Sequence, residues 1–545
     1  MVTVAVLLLA ATFTRTLERV STMDPAMATT VYDAHAVQLV YETPLEIDYR
    51  ARPYKLIPGF CELPEVSEDG LVYRFKVKVR GEGEQRKDKF HCSTSPSDFD
   101  SSDMVRSLER LRDPKVVSPN GWIVKDVDTI RALDARTVEI RLKRRCHFFP
   151  WLMAISACGV VGPNGEGSGP YVLSRWRKNH EMVFERKMKV RGVIERSEIA
   201  EGLREQRKDK FHCSPSPCVF TSFDEVKYLV VDDASTQWLM FLKGELDFLE
   251  SVSRDNFDSI VGADGRLDAG LVKAGVTLHS IPTLEVLYLG INMKDPVLGP
   301  NRKLRQALNA AFDYPAWERF YNGRILPCPT PVPPGVDGRL EKPFPYAFDL
   351  EKAKRLLAEA GYPGGIDPKT GRRLVLTLSI GRASQESREA GELAASFYER
   401  IGVRLELDFK TWTAFVDAVN EGRVQMFRMG WVGDYPDAQN FLQLFHSMNA
   451  RPGPNRAAYA NPEFDREYDA ALGARTVSER NAHWLKCQEI LQEDCPWVFT
   501  HVDKAYSLVR PTVGNYIPSD FPYGYEKYYE SSKVSGSQSF GVEGR

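Results

Sequence analysis

Trp431 stands three residues before Asp434 in GWVGDYPDAQNF, Gly430 to Phe441. An indole and a carboxylate on a turn broken by Gly and Pro suit one piece of chemistry: holding a cation against a flat, apolar wall. A carboxylate at a strand end, walled by indole, is partly desolvated, so its bond to an ammonium is strong. Charged hydrogen bonds of this type contribute about 1.5–3 kcal/mol net. The plainer reading of Asp434 is a turn residue bonded to its own backbone, as Asp commonly is. Asp437, followed by AQNFLQLF, reads as a helix cap. Reaction chemistry is sparse elsewhere: neither GxSxG nor HExxH occurs, and no two histidines are spaced i,i+4. GEGSG, Gly165 to Gly169, precedes a strand rather than a helix and makes no phosphate cradle. No catalytic residue is assigned. Paired carboxylates can lie far apart in sequence, so a secreted hydrolase stays as a rival reading.

The elements that must position this turn are legible from periodicity. RVQMFRM, just before it, alternates like a strand. Upstream, Asp349 is placed to cap a helix over LEKAKRLLAEA, with Leu350, Ala353, Leu356, Leu357 and Ala360 on one face and Gly361 and Pro363 ending it. A second helix, SREAGELAASFYERI, stops at Gly402 and is followed by the strand VRLELDF and a short helix, TAFVDAVNEG. This αβαβ order predicts a mixed or parallel sheet flanked by helices. In such sheets ligands sit at the carboxyl ends of strands, where Gly430 to Asp434 falls. In the first half, LVYRFKVKV (Leu71–Val79) and RTVEIRLKR (Arg136–Arg144) read as half-buried strands, and SSDMVRSLERL as a helix.

With 545 residues, two or three domains are expected. The net charge of -2 supplies no basic field for nucleic acid. Nine cysteines form no CxxC pair, which argues against a zinc ribbon or a disulfide-built scaffold. Val2 to Phe13 is apolar and too short to span a bilayer. It reads either as a signal-peptide core, although no Lys or Arg precedes it, or as a first β-strand. The polar, Gly/Ser-rich tail from Glu530 reads as disordered. EQRKDKFHCS occurs at Glu84–Ser93 and again at Glu205–Ser214. His91, Cys92, His212 and Cys213 could form a paired metal site, but adjacent His-Cys is poor chelate spacing. The favoured reading is two surface insertions of shared origin, with no metal and no cofactor.

Several segments in order carry a resemblance. GSGPYVLSRWRKNHEMVFER (Gly167–Arg186), VVDDASTQWLMFLKGELDFLE (Val230–Glu250), LGINMKDPVLGPNRKLRQALNAAFD (Leu289–Asp313) and EKAKRLLAEAGYP (Glu351–Pro363), together with TMDPA and VYETPLEID, resemble the bacterial family 5 extracellular solute-binding proteins. This is the oligopeptide/dipeptide-binding group of ABC importers. The resemblance runs from about Met23 to Tyr529. It departs in two places: only GVVGPNGEG separates Cys158 from Ser168, and the repeated EQRKDKFHCS segments replace different residues.

The resemblance implies an α/β clamshell of two lobes, of the class C binding-protein type, with mixed sheets and an extra subdomain in the first lobe. The first lobe would comprise residues 1–47, 167–281 and 496–545, with the subdomain at 48–166 and the second lobe at 282–495. It also implies that Asp434 accepts a peptide's α-ammonium and that Trp431 and Trp412 are pocket aromatics, although both suit ordinary core packing. Gly430 would offer backbone groups to an extended ligand. Arg428 would take the carboxylate end bidentately, with Arg382 a weaker candidate; each also reads as a solvated arginine. The expected partners are a short peptide and an ABC permease with its ATPase subunits, the chain acting as an extracytoplasmic or periplasmic monomer. Rival readings are an oligosaccharide, a nickel or haem-type chelate, or a decayed paralogue.

Overall fold

The computed structural model describes residues 11–48, 51–78, 99–187, 221–250, 256–257, 260–262, 265–381, 384–451, 453–519 and 524–531. The main sheet has eleven strands. In chain order they are β1 (Thr12–Thr16), β2 (Tyr171–Arg177), β3 (Glu181–Arg186), β4 (Glu225–Leu229), β5 (Phe248–Leu249), β6 (Thr277–Ile291), β7 (Ile325–Pro327), β8 (Val375–Ile380), β9 (Arg404–Phe409), β10 (Met426–Val432) and β11 (Trp497–Val509). Their spatial order is β9-β8-β10-β6-β11-β5-β1-β4-β3-β2, with β7 beside β11. The sheet is mixed, as the αβαβ order implies: β8 runs parallel to β9 and β10, whereas β6 is antiparallel to β10 and β11.

Local sequence explains the helices that flank β8 to β10. Asp349 accepts the Lys352 N–H at 2.9 Å and starts the helix Leu350–Glu359, which buries Ala353, Leu356 and Leu357. Gly361 turns the chain out of it with φ of 93°. The helices Gln385–Glu399 and Trp412–Asn420 follow, as periodicity predicts. In the first half, the expected strands appear as Val72–Lys76 and Thr137–Leu142 of a separate four-stranded antiparallel sheet. The expected helix forms over Ser101–Glu109 with Asp100 and Asp103 as a capping box.

β6 and β11 pair from Thr277↔Val509 to Gly290↔Trp497. The register shifts between Pro282 and Val286, where the proline has no N–H to give. The expected boundary at 281/282 lies at this irregularity; that at 495/496 lies just before β11. One buried cluster joins residues of the 45–160 region, such as Phe75 and Ile140, with the β6–β10 region, such as Leu378 and Phe427. A second packs Phe13, Tyr171, Phe184 and Tyr228 around β1.

One sequence expectation changes, and one alternative is met at its described end. Of the two readings of the apolar run, Thr12 and Phe13 take the strand, belonging to β1, and Phe13 is fully buried. Glu530 and Ser531 are ordered, not tail. They pair with Thr221–Ser222 and Val513–Gly514, long-range partners that local composition cannot show. Both EQRKDKFHCS copies, with their His-Cys pairs, lie outside the described residues. The six described cysteines are buried free thiols.

Residues 46 and 527, far apart in sequence, are locked together by charge. Lys527 Nζ meets Glu46 Oε1 at 2.6 Å, both side chains buried, and the Tyr528 hydroxyl bonds the same carboxylate. Burial alone would push the Glu46 carboxyl up; the Lys527 charge and these hydrogen bonds outweigh it and hold its pKa below the ordinary value. Removing one partner strands a buried charge. Lys527→Met is expected to cost roughly 3–5 kcal/mol in equilibrium urea unfolding, and a second change, Glu46→Leu, to recover much of it. Because the folded pKa is lowered, the pair's contribution is full above the unfolded glutamate value and is lost as pH falls through the folded one. A Lys527→Met protein as stable as the parent would show that the pair contributes nothing.

Candidate functional site

β10 presents its residues alternately to the two faces of the sheet. Arg428 and Gly430 share one face, and Trp431 belongs to the other. The Arg428 guanidinium is half-buried, and its Nη2 donates to the Tyr321 hydroxyl at 2.8 Å. A Cβ on Gly430 would lie 2.6 Å from Glu285 Oε1, so the glycine leaves room for that carboxylate. Burial, and then the charge of Asp503, raise the Glu285 pKa.

The edges of β10 are unequal. On one side β6 pairs with it to the end, Val432 opposite Glu285. On the other, β8 pairs only up to Ile380 opposite Arg428. Among the described residues, no strand lies beside Gly430–Val432 on that second edge. Its backbone groups are open to an added strand.

Beyond this edge the chain turns, and a side chain unremarked in the sequence organises the turn. Asn440 is fully buried in the helix Ala438–Leu442. Its Oδ1 accepts the Trp431 Nε1–H at 3.0 Å and the Asp434 N–H at 3.1 Å, and its Nδ2 donates to Asp434 Oδ2 at 3.1 Å. Two donors on one side and a carboxylate on the other fix which way the amide points. Among the described residues, the Asp434 carboxylate thus meets a side-chain amide, not the backbone of its own turn. Asp434 stays open to solvent on one side and is crowded by protein on the other. The crowding raises its pKa, and the Asn440 amide pulls it partly back.

Asp437 is a helix cap, accepting the Gln439 N–H at 2.9 Å. It also faces His147 at 3.4 Å across the boundary with the 99–160 region. Burial pushes the Asp437 carboxyl up, but His147 and the Gln439 N–H together outweigh that and lower its pKa. Beside this pair, the Phe148 and Tyr435 rings stack with centroids 5.4 Å apart and planes 7° apart.

Asp434 faces a narrow cleft of about 60 Å³ whose other wall includes Gln38, Thr43, Glu46, Trp151 and Tyr525. Sequence reasoning missed this wall and Asn440. VYETPLEID contains Thr43 and Glu46, but nothing in residue type marks them as cleft residues. Trp431 and Asp434 also line a larger opening on the side of the 122–152 segment. Arg428, Gly430 and Trp412 line neither opening. Trp412 stands 62% exposed over the carboxyl end of β8, where a Cβ on Gly381 would come within 2.9 Å of its ring. Arg382 lies outside the described residues. The structure therefore brings Trp431 and Asp434 together, sets Arg428 and Gly430 on the opposite face of the same strand, and leaves Trp412 at a neighbouring strand end.

Comparison with known proteins gives a consistent result. The family model of the bacterial extracellular solute-binding proteins, family 5 Middle, matches residues 55–452. Heme-binding protein A of Haemophilus influenzae is 25% identical over 502 residues, covering 89% of this chain and 85% of that protein. The periplasmic murein peptide-binding protein MppA of Escherichia coli is 23% identical over 555 residues, covering 93% and 91%. The solved structure of the periplasmic binding protein DppA from Helicobacter pylori, in complex with the peptide STSA, superposes with a TM-score of 0.68 at 20% identity, covering 96% of this chain and 98% of that one. The fold is the two-lobed α/β binding-protein fold with a large mixed sheet.

The amide of Asn440 has a measurable consequence. Asn440→Ala leaves the Trp431 indole N–H and the Asp434 N–H without their acceptor. It is expected to lower stability by about 1–3 kcal/mol and to shift Trp431 fluorescence to the red. Unchanged unfolding and emission would mean that the turn is held by other contacts.

Proposed function

This chain belongs to the bacterial extracellular solute-binding proteins of family 5, and we propose that it captures short peptides by their free amino terminus and delivers them to an ABC permease. The observation that carries the reading is Asp434: a carboxylate held in place by Asn440, with no protein cation paired to it among the described residues, at the end of an open strand edge. An ammonium completes the charge, and the edge Gly430–Val432 offers main-chain pairing, which binds peptides with little regard to side chain. Arg428 faces the same strand region with a guanidinium bonded to a neutral phenol, and it would receive the carboxylate end. MppA and DppA, whose names and bound ligand are peptidic, support this choice of solute.

The two lobes would comprise 1–47, 167–281 and 496–545 on one side, with the subdomain 48–166, and 282–495 on the other. The broken ladder at Pro282–Val286 supports that division. Peptide would leave chemically unchanged, since the permease and its ATPase perform the work. The protein would act outside the inner membrane as a monomer. Among the described residues, no helix is long and apolar enough to cross a membrane, and no group of three His, Cys, Asp or Glu could hold a metal ion.

A thermal-shift screen tests the reading, because binding to the native state alone raises the melting temperature. Mixed di- to pentapeptides should raise it, and the same pool with acetylated amino termini should not. Asp434→Asn should weaken free-amine peptides about tenfold or more, in keeping with loss of a charged hydrogen bond. Equal affinities for parent and variant would remove Asp434 from the site. The ammonium needs Asp434 ionised, and crowding raises that pKa. Affinity should therefore be full at neutral pH and decline on acidification, beginning above the ordinary aspartate range. An affinity flat down to pH 4 would contradict this assignment.

A further inference from the structure

Asp434 and Trp431 belong to the wall of a chamber of about 890 Å³ between the 122–152 and 431–473 segments. That is towards the upper end of the roughly 300–1,000 Å³ of ordinary small-molecule pockets, room enough for a large side chain. Its inner wall carries Trp431 and the stacked Phe148 and Tyr435. At its mouth two large apolar side chains meet water: Trp122 is 44% and Met448 84% exposed. His446 is buried in the same lining. Its Nδ1 accepts the Met448 N–H at 3.2 Å, so Nε2 carries a ring proton. Nε2 faces the carboxylates of Asp469 at 3.4 Å and Asp465 at 3.9 Å. Gly473 closes the helix Pro462–Gly473 on this lining, and a Cβ there would meet nothing within 4 Å.

We propose that this chamber receives the first side chain of the bound peptide, and that the protein selects peptides beginning with a large aromatic residue. The inference rests on the reading of Asp434 as the ammonium site. In an amino-terminal residue the ammonium and the side chain leave the same Cα. An ammonium on Asp434 therefore brings the first side chain to the wall that Asp434 and Trp431 share. The main chain takes the open edge of β10, and the chamber is the remaining direction. A small first residue leaves the exposed apolar surface wet; an aromatic ring covers it and stacks against rings already in place.

Calorimetric titration of the whole protein with Ala-Ala-Ala, Phe-Ala-Ala and Trp-Ala-Ala tests the proposal, each peptide also being tried with an acetylated amine. The aromatic-first peptides should bind about tenfold or more tightly than Ala-Ala-Ala, the scale set by burying an aromatic side chain. Gly473→Phe, which fills the chamber, should bring the ratio of affinities towards one. Trp122→Ala, a change at a solvent-exposed position, should lower the ratio as well and covers the case in which Gly473→Phe does not fold. Equal affinity for the three free-amine peptides, or a ratio indifferent to both variants, would overturn the chamber while leaving the Asp434 reading intact. Binding unaffected by acetylation, or no binding of any of the peptides, would overturn both.

Discussion

β6 is fifteen residues long and β11 thirteen, and their antiparallel ladder crosses the middle of the sheet. On one side of it lie β5, β1, β4, β3 and β2; on the other lie β10, β8 and β9. The turn that carries Asp434 is fixed to this ladder directly. β10 zips along the outer edge of β6, and the Gly433 N–H reaches the Leu284 carbonyl at 2.8 Å, one residue past the last strand pair. Asp434 is therefore delivered at the level where β6 and β11 change register. It lies beside the first of the two register shifts in this ladder, the second falling between Leu287 and Tyr288.

Two carboxylates three residues apart in one turn meet opposite surroundings. Asp437 is buried against His147 and caps a helix, and its pKa is lowered. Among the described residues, Asp434 has an amide but no cation, and its pKa is raised. The first is satisfied within the protein and serves to pin the turn to the 99–160 region. The second is oriented but left electrically incomplete. Environment rather than residue type separates a structural acid from one available to a ligand. Asn440 allows this separation: it fixes the Asp434 carboxylate with a neutral donor, so orientation does not consume the charge.

The parts of this arrangement that were legible in the sequence are the local ones. Helix Leu350–Glu359 with its Asp349 cap, the alternation of β9 and β10, and the cap role of Asp437 follow from spacing within a dozen residues. Asn440 was not legible, because a buried amide in a one-turn helix has the same local pattern as any polar helix residue. Thr43, Trp151 and Tyr525 come from three distant segments, and only the folded chain assembles them into a wall. The grouping of Arg428, Gly430 and Trp431 as one pocket overlooked the period of the strand itself, which sends the arginine and the indole to opposite faces. The ordered Glu530–Ser531 pair was hidden for the reason that hid the cleft wall: its partners lie at 221–222 and 513–514.

That opposition of faces suits an extended ligand better than a compact one. A compact solute resting on Trp431 is shielded from Arg428 by the sheet. A strand laid along the open edge of β10 would lie in the plane of the sheet and send its own side chains alternately to both faces. That edge is open only over Gly430–Val432, because β8 occupies it up to Arg428. Within that span the glycine at 430 keeps one face free of protein side chain except for Glu285, whose raised pKa reflects a carboxylate short of solvent. The strand therefore offers different groups in different directions: the Asp434 carboxylate beyond its end, main-chain groups along the edge at Gly430–Val432, and the Arg428 guanidinium on the face opposite Trp431.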